Sequence, residues 1–183
     1  MTNIALNKNK QLATIGLLIA MASIVMLFGT FVSSFYVLKI RLMDYLDLPK
    51  IIIQIGLINT AILLISSATF SIAANRFKQN ILNSFSLWLL LTIGGGFLFL
   101  IGQLYLWNEM TTMGIAVSDG QLSDMFYLIS GAHGLHIISG LISLIWLQSN
   151  VNKQLSYNHV LHVGIFWHFL DFLWVVLFAV ILF

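Results

Sequence analysis

Apolar residues run along this chain in five long blocks, at about residues 12–38, 51–75, 83–107, 122–148 and 157–183, with short polar stretches between them. At 1.5 Å per helical residue, each block is long enough to cross a hydrocarbon core about 30 Å thick. The pattern predicts an all-α fold: a polytopic bundle of five transmembrane helices that makes one membrane domain of residues 1–183. Pro49 stands at the opening of the second block, where a missing N–H does no harm, so it marks a boundary and no kink. The first block is too long for a signal peptide and shows no small-residue cleavage site after Lys8 and Lys10, so it is expected in the mature protein. Connections are short except for residues 108–121, and neither an internal repeat nor a low-complexity stretch is visible.

Composition sharpens this picture. With 60% of its 183 residues hydrophobic and 8% charged, the chain is no soluble domain, and at roughly 20 to 25 residues per span five helices leave nothing over for one. The absence of cysteine excludes disulfide scaffolds, iron–sulfur clusters, thiolate zinc sites and cysteine nucleophiles together. Any metal would need histidine and carboxylate ligands, and five histidines are too few for the histidine boxes of membrane di-iron enzymes. Nothing in the pattern suggests nucleic acid as a partner. Orientation follows from the basic residues. Lys8, Lys10, Arg76, Lys78 and Lys153 lie on one side, against Lys39, Arg41 and Lys50 on the other, which carries Asp44, Asp47, Glu109, Asp119 and Asp124. The positive-inside rule then expects a cytoplasmic N-terminus and a periplasmic C-terminus.

Polar groups inside the fourth and fifth blocks need an explanation, because ionisable side chains in lipid are costly and normally face a partner. In SGAHGLHIISG, His133 and His136 are three residues apart and share a helix face, which Gly140 continues one turn on. In FWHFLDFLW, His168 and Asp171 repeat the spacing between Trp167 and Trp174. Both pairs sit near the middle of their spans and are expected to meet across an antiparallel interface. There they would form a structural polar cluster, with Gly131, Gly134 and Gly140 letting the backbones approach. Two further readings stay open: a b-type haem held by His133 or His136 together with His168, and a proton-handling role. His159 and His162 read as an interfacial collar at the start of the fifth helix, and Gly94, Gly95 and Gly96 as close helix packing in the third, since no GK[ST] follows them.

The fourth and fifth helices resemble subunit III of the haem-copper terminal oxidases. Ser118, Asp119, Gly120, Phe126, Tyr127, Gly131, His133, Gly134, Leu135, His136 and Gly140 match one family motif, and Trp167, His168, Phe169, Asp171 and Trp174 match its closing one. Upstream, Leu57, Asn59, Thr60, Leu63, Leu64, Ser66 and Thr69, and then Gln103, Trp107 and Glu109, continue the resemblance. In the first helix Ser23, Val25, Met26, Leu27, Phe28 and Gly29 are similar to the family pattern, but Ile24 occupies the place of a glutamate linked with a lipid cleft, and Leu106 that of a second glutamate. Long family members have seven helices, and this chain resembles the five-helix bacterial form.

The resemblance implies a non-catalytic subunit III of a proton-pumping oxidase of aerobic respiration, lying in the bacterial inner membrane. Such a subunit holds no cofactor itself; haem and copper are expected in subunit I, and phospholipid between the helices. The implied partners are subunits I and II, with a small subunit IV and a respiratory supercomplex as further candidates. The electron donor, cytochrome c or a quinol, would bind elsewhere in the complex. A structural role is what carries over to His133, His136, His168 and Asp171, while Ile24 in place of the glutamate weakens any proton-antenna role. The reading from another class is a free-standing membrane b-type haem protein for electron transfer.

Overall fold

The computed structural model describes residues 2–42, 49–115, 120–151 and 155–182; Asp44, Asp47, Ser118, Asp119 and Lys153 lie outside the described residues. Five α-helices follow one another: α1 Thr2–Leu42, α2 Lys50–Lys78, α3 Leu82–Thr112, α4 Gln121–Ser149 and α5 Tyr157–Leu182. All five contain stretches long and apolar enough to cross a membrane. Several outrun the apolar blocks that announce them. α3 runs on to Thr112, five residues past the expected 107, because a helix satisfies its own backbone and continues into the polar interface wherever no breaker intervenes.

Local chemistry sets the ends. Pro49 caps α2, its carbonyl accepting from the N–H groups of Ile52 at 2.9 Å and Ile53 at 3.3 Å, so the one proline begins a helix as its position suggests. The turn between α2 and α3 reverses the chain in three residues with Asn80 at φ 61°, a left-handed conformation that asparagine adopts more readily than most residues.

α2, α3, α4 and α5 close into a ring in which each helix packs on the next and α5 returns to α2; α1 lies outside the ring against α4 and α5. Because every helix is apolar nearly all round, hydropathy does not mark the inward side. Size and polarity mark it instead, since lipid supplies no drive to bury hydrocarbon but leaves small and hydrogen-bonding groups better placed between helices. The buried stripe of α2 reads Ile52, Gly56, Asn59, Thr60, Leu63, Ser66, Phe70 and Ala73, recurring every three to four residues, and that of α5 includes Gly164, Trp167, Asp171 and Trp174.

Interhelical hydrogen bonds stitch these stripes together. Ser66 Oγ donates to the Thr92 carbonyl at 2.9 Å and joins α2 to α3, as does the Thr69–Thr92 hydroxyl pair at 2.9 Å. Between α3 and α4, Trp107 Nε1 donates to Ser130 Oγ at 3.1 Å, and Gln148 Nε2 donates to Ser86 Oγ at 2.7 Å. Trp174 Nε1 donates to Thr60 Oγ1 at 3.0 Å across α5 and α2. Leu57, Leu64, Leu91, Leu104, Leu135 and Phe172 are exposed on the outside of the bundle, an apolar surface suited to lipid or to other helices.

Candidate functional site: the buried histidines and aspartate of α4 and α5

His133 is the most enclosed ionisable group described, at 0% exposure. Its ring stacks on Trp174 of α5, with centroids 4.9 Å apart and planes at 28°. Edge contacts with Phe99 of α3 at 5.9 Å and Phe28 of α1 at 6.3 Å complete the enclosure. Neither ring nitrogen has a hydrogen-bond partner. His136, one turn on, swings toward α1 instead: it meets the edge of Phe28 at 5.5 Å, and its Nδ1 donates to the Ala132 carbonyl at 2.7 Å.

On α5 the second pair divides as well. His168 leans on α2, with Nδ1 2.6 Å from Ser67 Oγ and Nε2 3.4 Å from Ser71 Oγ, and with its ring against the edge of Phe70 at 5.7 Å. Asp171 is 2% exposed, and neither carboxyl oxygen has a hydrogen-bond partner among the described groups. Of the four residues expected to meet, the structure therefore joins α4 to α5 through a ring stack of His133 on Trp174. It turns His168 toward the serines of α2 and leaves the buried Asp171 carboxyl without a hydrogen-bond partner.

The three glycines behave differently from one another. A Cβ on Gly140 would stand 3.0 Å from Trp167 Cε3 and 3.1 Å from Leu170 Cδ1, so α4 and α5 approach closely there. On Gly131 its nearest neighbour would be Trp107 at 3.5 Å, and on Gly134 Leu100 at 3.9 Å, both ordinary contacts. Tighter approaches occur at glycines the motif does not highlight. Gly164 lies directly under the Phe70 ring where α5 meets α2, and Gly95 and Gly96 of the triple glycine press on Ser66 and on Leu141 with Trp167, while Gly94 meets nothing within 4 Å. The signal available in the sequence for Gly95 and Gly96 was their place one turn after Thr92 on α3; Gly164 carries no such mark on α5.

Ile24 is partly buried and packs on an apolar cluster that contains Phe28, Leu106, Met110, Phe126 and Ile129. The two positions where the resemblance expects glutamates, Ile24 and Leu106, thus border one hydrocarbon region. At the far end, His162 Nε2 lies 2.9 Å from Thr14 Oγ1 and ties α5 to α1, while His159 rests against the edge of Trp146 at 5.5 Å. Among the described residues no group of three or more histidine, aspartate or glutamate side chains is placed to hold a metal ion. The rings proposed as haem ligands lie against different helices, with His133 covered by three aromatic rings and His168 turned onto α2.

The architecture defines a class before it defines a family: a five-span helical membrane protein with a histidine and an aspartate, His133 and Asp171, buried among its own helices. The chain belongs to the cytochrome c oxidase subunit III family, whose pattern it matches over residues 6–183. It is similar to the cytochrome c oxidase subunit 3 of Thermostichus vulcanus, 30% identical over 129 residues that cover 68% of this chain and 63% of that one. The cytochrome bo(3) ubiquinol oxidase subunit 3 of Buchnera aphidicola subsp. Baizongia pistaciae is 32% identical over 127 residues, 67% of this chain and 66% of its own. A probable quinol oxidase subunit 3 of Staphylococcus epidermidis is 31% identical over 129 residues, 68% of this chain and 64% of its own. The chain spans just under two thirds of the length of these curated relatives. Five apolar helices and bacterial relatives of this kind make it a multi-pass protein of the bacterial inner membrane. The free-standing haem protein finds no support in these likenesses.

Proposed function

We propose that this chain is the non-catalytic subunit III of a proton-pumping haem-copper terminal oxidase, packed on subunit I and sustaining oxygen reduction without contributing a reacting group. The observation that carries this reading is how the family's motif residues are used. His133 is spent on an aromatic stack, His136 on a carbonyl of its own helix and His168 on two serines, so each acts within the bundle. Haem and copper then belong to subunit I, subunit II completes the core, and a subunit IV or a supercomplex adds to it. Phospholipid fills the grooves along the exposed apolar faces. In this arrangement His133, His136, His168 and Asp171 position helices, residues 1–183 act as one membrane domain, and Ile24 removes the intramembrane carboxylate from its usual place. The N-terminus lies in the cytoplasm and the C-terminus in the periplasm, following the basic residues. Relatives named as subunits of a cytochrome c oxidase and of a ubiquinol oxidase are about equally similar to this chain, which fits a donor bound elsewhere in the complex.

The test is purification of the chain through an affinity tag from bacterial membranes in a mild detergent. Two larger membrane proteins carrying haem and copper should accompany it, and the chain expressed alone should show no Soret band. Stoichiometric haem on the isolated chain, lost in His133→Ala or His168→Ala, would falsify the proposal.

A further inference from the structure

The outer groove between α2 and α5 grades from charge to hydrocarbon along its length. It measures about 230 Å³, less than the roughly 300 to 1,000 Å³ of a pocket that encloses a small soluble molecule, so it suits one segment of a longer amphiphile. Tyr157 lines its upper end, where Phe77 stacks on the ring at 6.4 Å and 21° and the Lys78 ammonium stands 5.2 Å from the ring centroid. Asn75, one turn before Lys78 on the same face of α2, carries a side-chain amide that no described group engages. One turn deeper, Ser71 Oγ and His168 Nε2 lie 3.4 Å apart and occupy each other. Between these points Ala74 and Gly164 add little or no side chain to the floor, and Phe70 and Leu161 are apolar wall. From Lys78, the last residue of α2, to Ser71 is roughly 10 Å at helical rise, so the groove enters about the first third of a hydrocarbon core about 30 Å thick. Charge stands at the membrane surface, an amide just below it, and hydrocarbon beneath.

We propose that the α2–α5 groove is a binding site for one anionic phospholipid, its phosphate held by Lys78, its glycerol ester region by Asn75 and the first part of an acyl chain laid over Ala74 and Gly164. The order of groups along the groove is the order of groups along such a lipid, and neither a soluble ligand nor an apolar helix repeats it. Anionic character follows from the charges at this end. Arg76 and Lys78 close α2, while Glu109 and Asp124 lie at the opposite ends of α3 and α4 and Asp171 is buried among the helices. A net positive surface draws anionic lipid, and the Tyr157 ring fixes where one of its charges stands. The site is separate from the apolar region around Ile24, which α1 shares with α3 and α4. This inference rests on the reading above that phospholipid fills the outer grooves, and it names one groove, one lipid class and the residues that select it.

The experiment is native mass spectrometry of the full chain in a nonionic detergent, titrated with phosphatidylglycerol or with phosphatidylcholine of the same acyl chains. The first phosphatidylglycerol should bind more tightly than the first phosphatidylcholine by about fivefold, the worth of one lysine at an anionic lipid surface. Lys78→Gln, a change at an exposed position, should erase that preference and leave phosphatidylcholine binding as it was. Arg76→Gln removes the same charge two residues away, roughly 200° round α2 from Lys78, and should keep the preference. Ala74→Leu, which fills the floor of the groove, should weaken the first binding of both lipids. Equal affinity of the native chain for the two lipids, equal loss of preference in Lys78→Gln and Arg76→Gln, or unchanged binding in Ala74→Leu would each overturn the proposal. Because the readout is lipid on the chain itself, a failure to find haem- and copper-bearing companions would sink the oxidase assignment and leave this site standing.

Discussion

A single missing carbon decides how α4 meets α5. At Gly140 an added Cβ would lie 3.0 Å from the ring of Trp167, itself at 0% exposure and unable to retreat, whereas at Gly134 the nearest atom would be 3.9 Å away. Overpacking a filled interface costs about 1 to 3 kcal/mol, while replacing a helical glycine in open space removes backbone freedom from the unfolded chain and gains roughly 0.5 to 1 kcal/mol. Gly140→Ala should therefore lower the midpoint of thermal unfolding in detergent, followed by tryptophan fluorescence, and Gly134→Ala should leave it unchanged or raise it. Equal effects of the two changes would mean that the helices are not held at the distance described. The family motif gives these glycines the same weight, and only the positions of Trp167 and Leu170 separate them.

At the scale of the helices, the sequence spoke clearly about existence and poorly about facing. Five apolar blocks predict five spans, and five helices cover them, because in lipid a backbone has no alternative that satisfies its N–H and C=O groups. Which side of each helix turns inward was legible only where a small or polar residue interrupts the apolar surface. Thr60 and Ser66 are such interruptions on α2, and both hydrogen-bond across interfaces. The facing of His168 was not legible, since i, i+3 spacing puts it on one face with Asp171 but does not say whether α4 or α2 lies opposite. α5 packs on both, and the contacts of His168 with Ser67 and Ser71 are what place it against α2. Sidedness is the remaining property of the elements, and a chain without cysteine offers a clean background for it. Gln79, which caps α2, and Met113, which follows α3, are both exposed and lie at opposite ends of α3. With the basic residues facing the cytoplasm, a membrane-impermeant maleimide added to intact spheroplasts should label Met113→Cys and spare Gln79→Cys until the membrane is broken. Labelling in the reverse order would invert the topology.

As a whole the molecule looks built to be leaned on. Its four-helix ring is tied internally by hydrogen bonds from serine, threonine, glutamine and tryptophan, while α1 offers the outside a helix whose apolar span is only 6% buried. Helix association in a membrane rests on packing, hydrogen bonds and lipid, so a neighbour seated on this body gains rigidity without any exchange of reacting groups. Such support acts on lifetime: what it slows is the rare loosening of the partner that lets an irreversible change follow, a rate governed by a barrier and not by the chemistry of turnover. Deleting the chain from the proposed oxidase should therefore leave the initial rate of oxygen consumption substantial and make activity decay faster as turnovers accumulate. Added phospholipid should slow that decay by refilling the vacated apolar surface, and re-addition of the chain should restore the native lifetime. The measurement is an oxygen-electrode trace of the purified complex with and without the chain, matched for haem and copper content. Immediate and complete loss of oxygen reduction, with the remaining subunits assembled and fully loaded, would show instead that the chain supplies something the reaction itself requires.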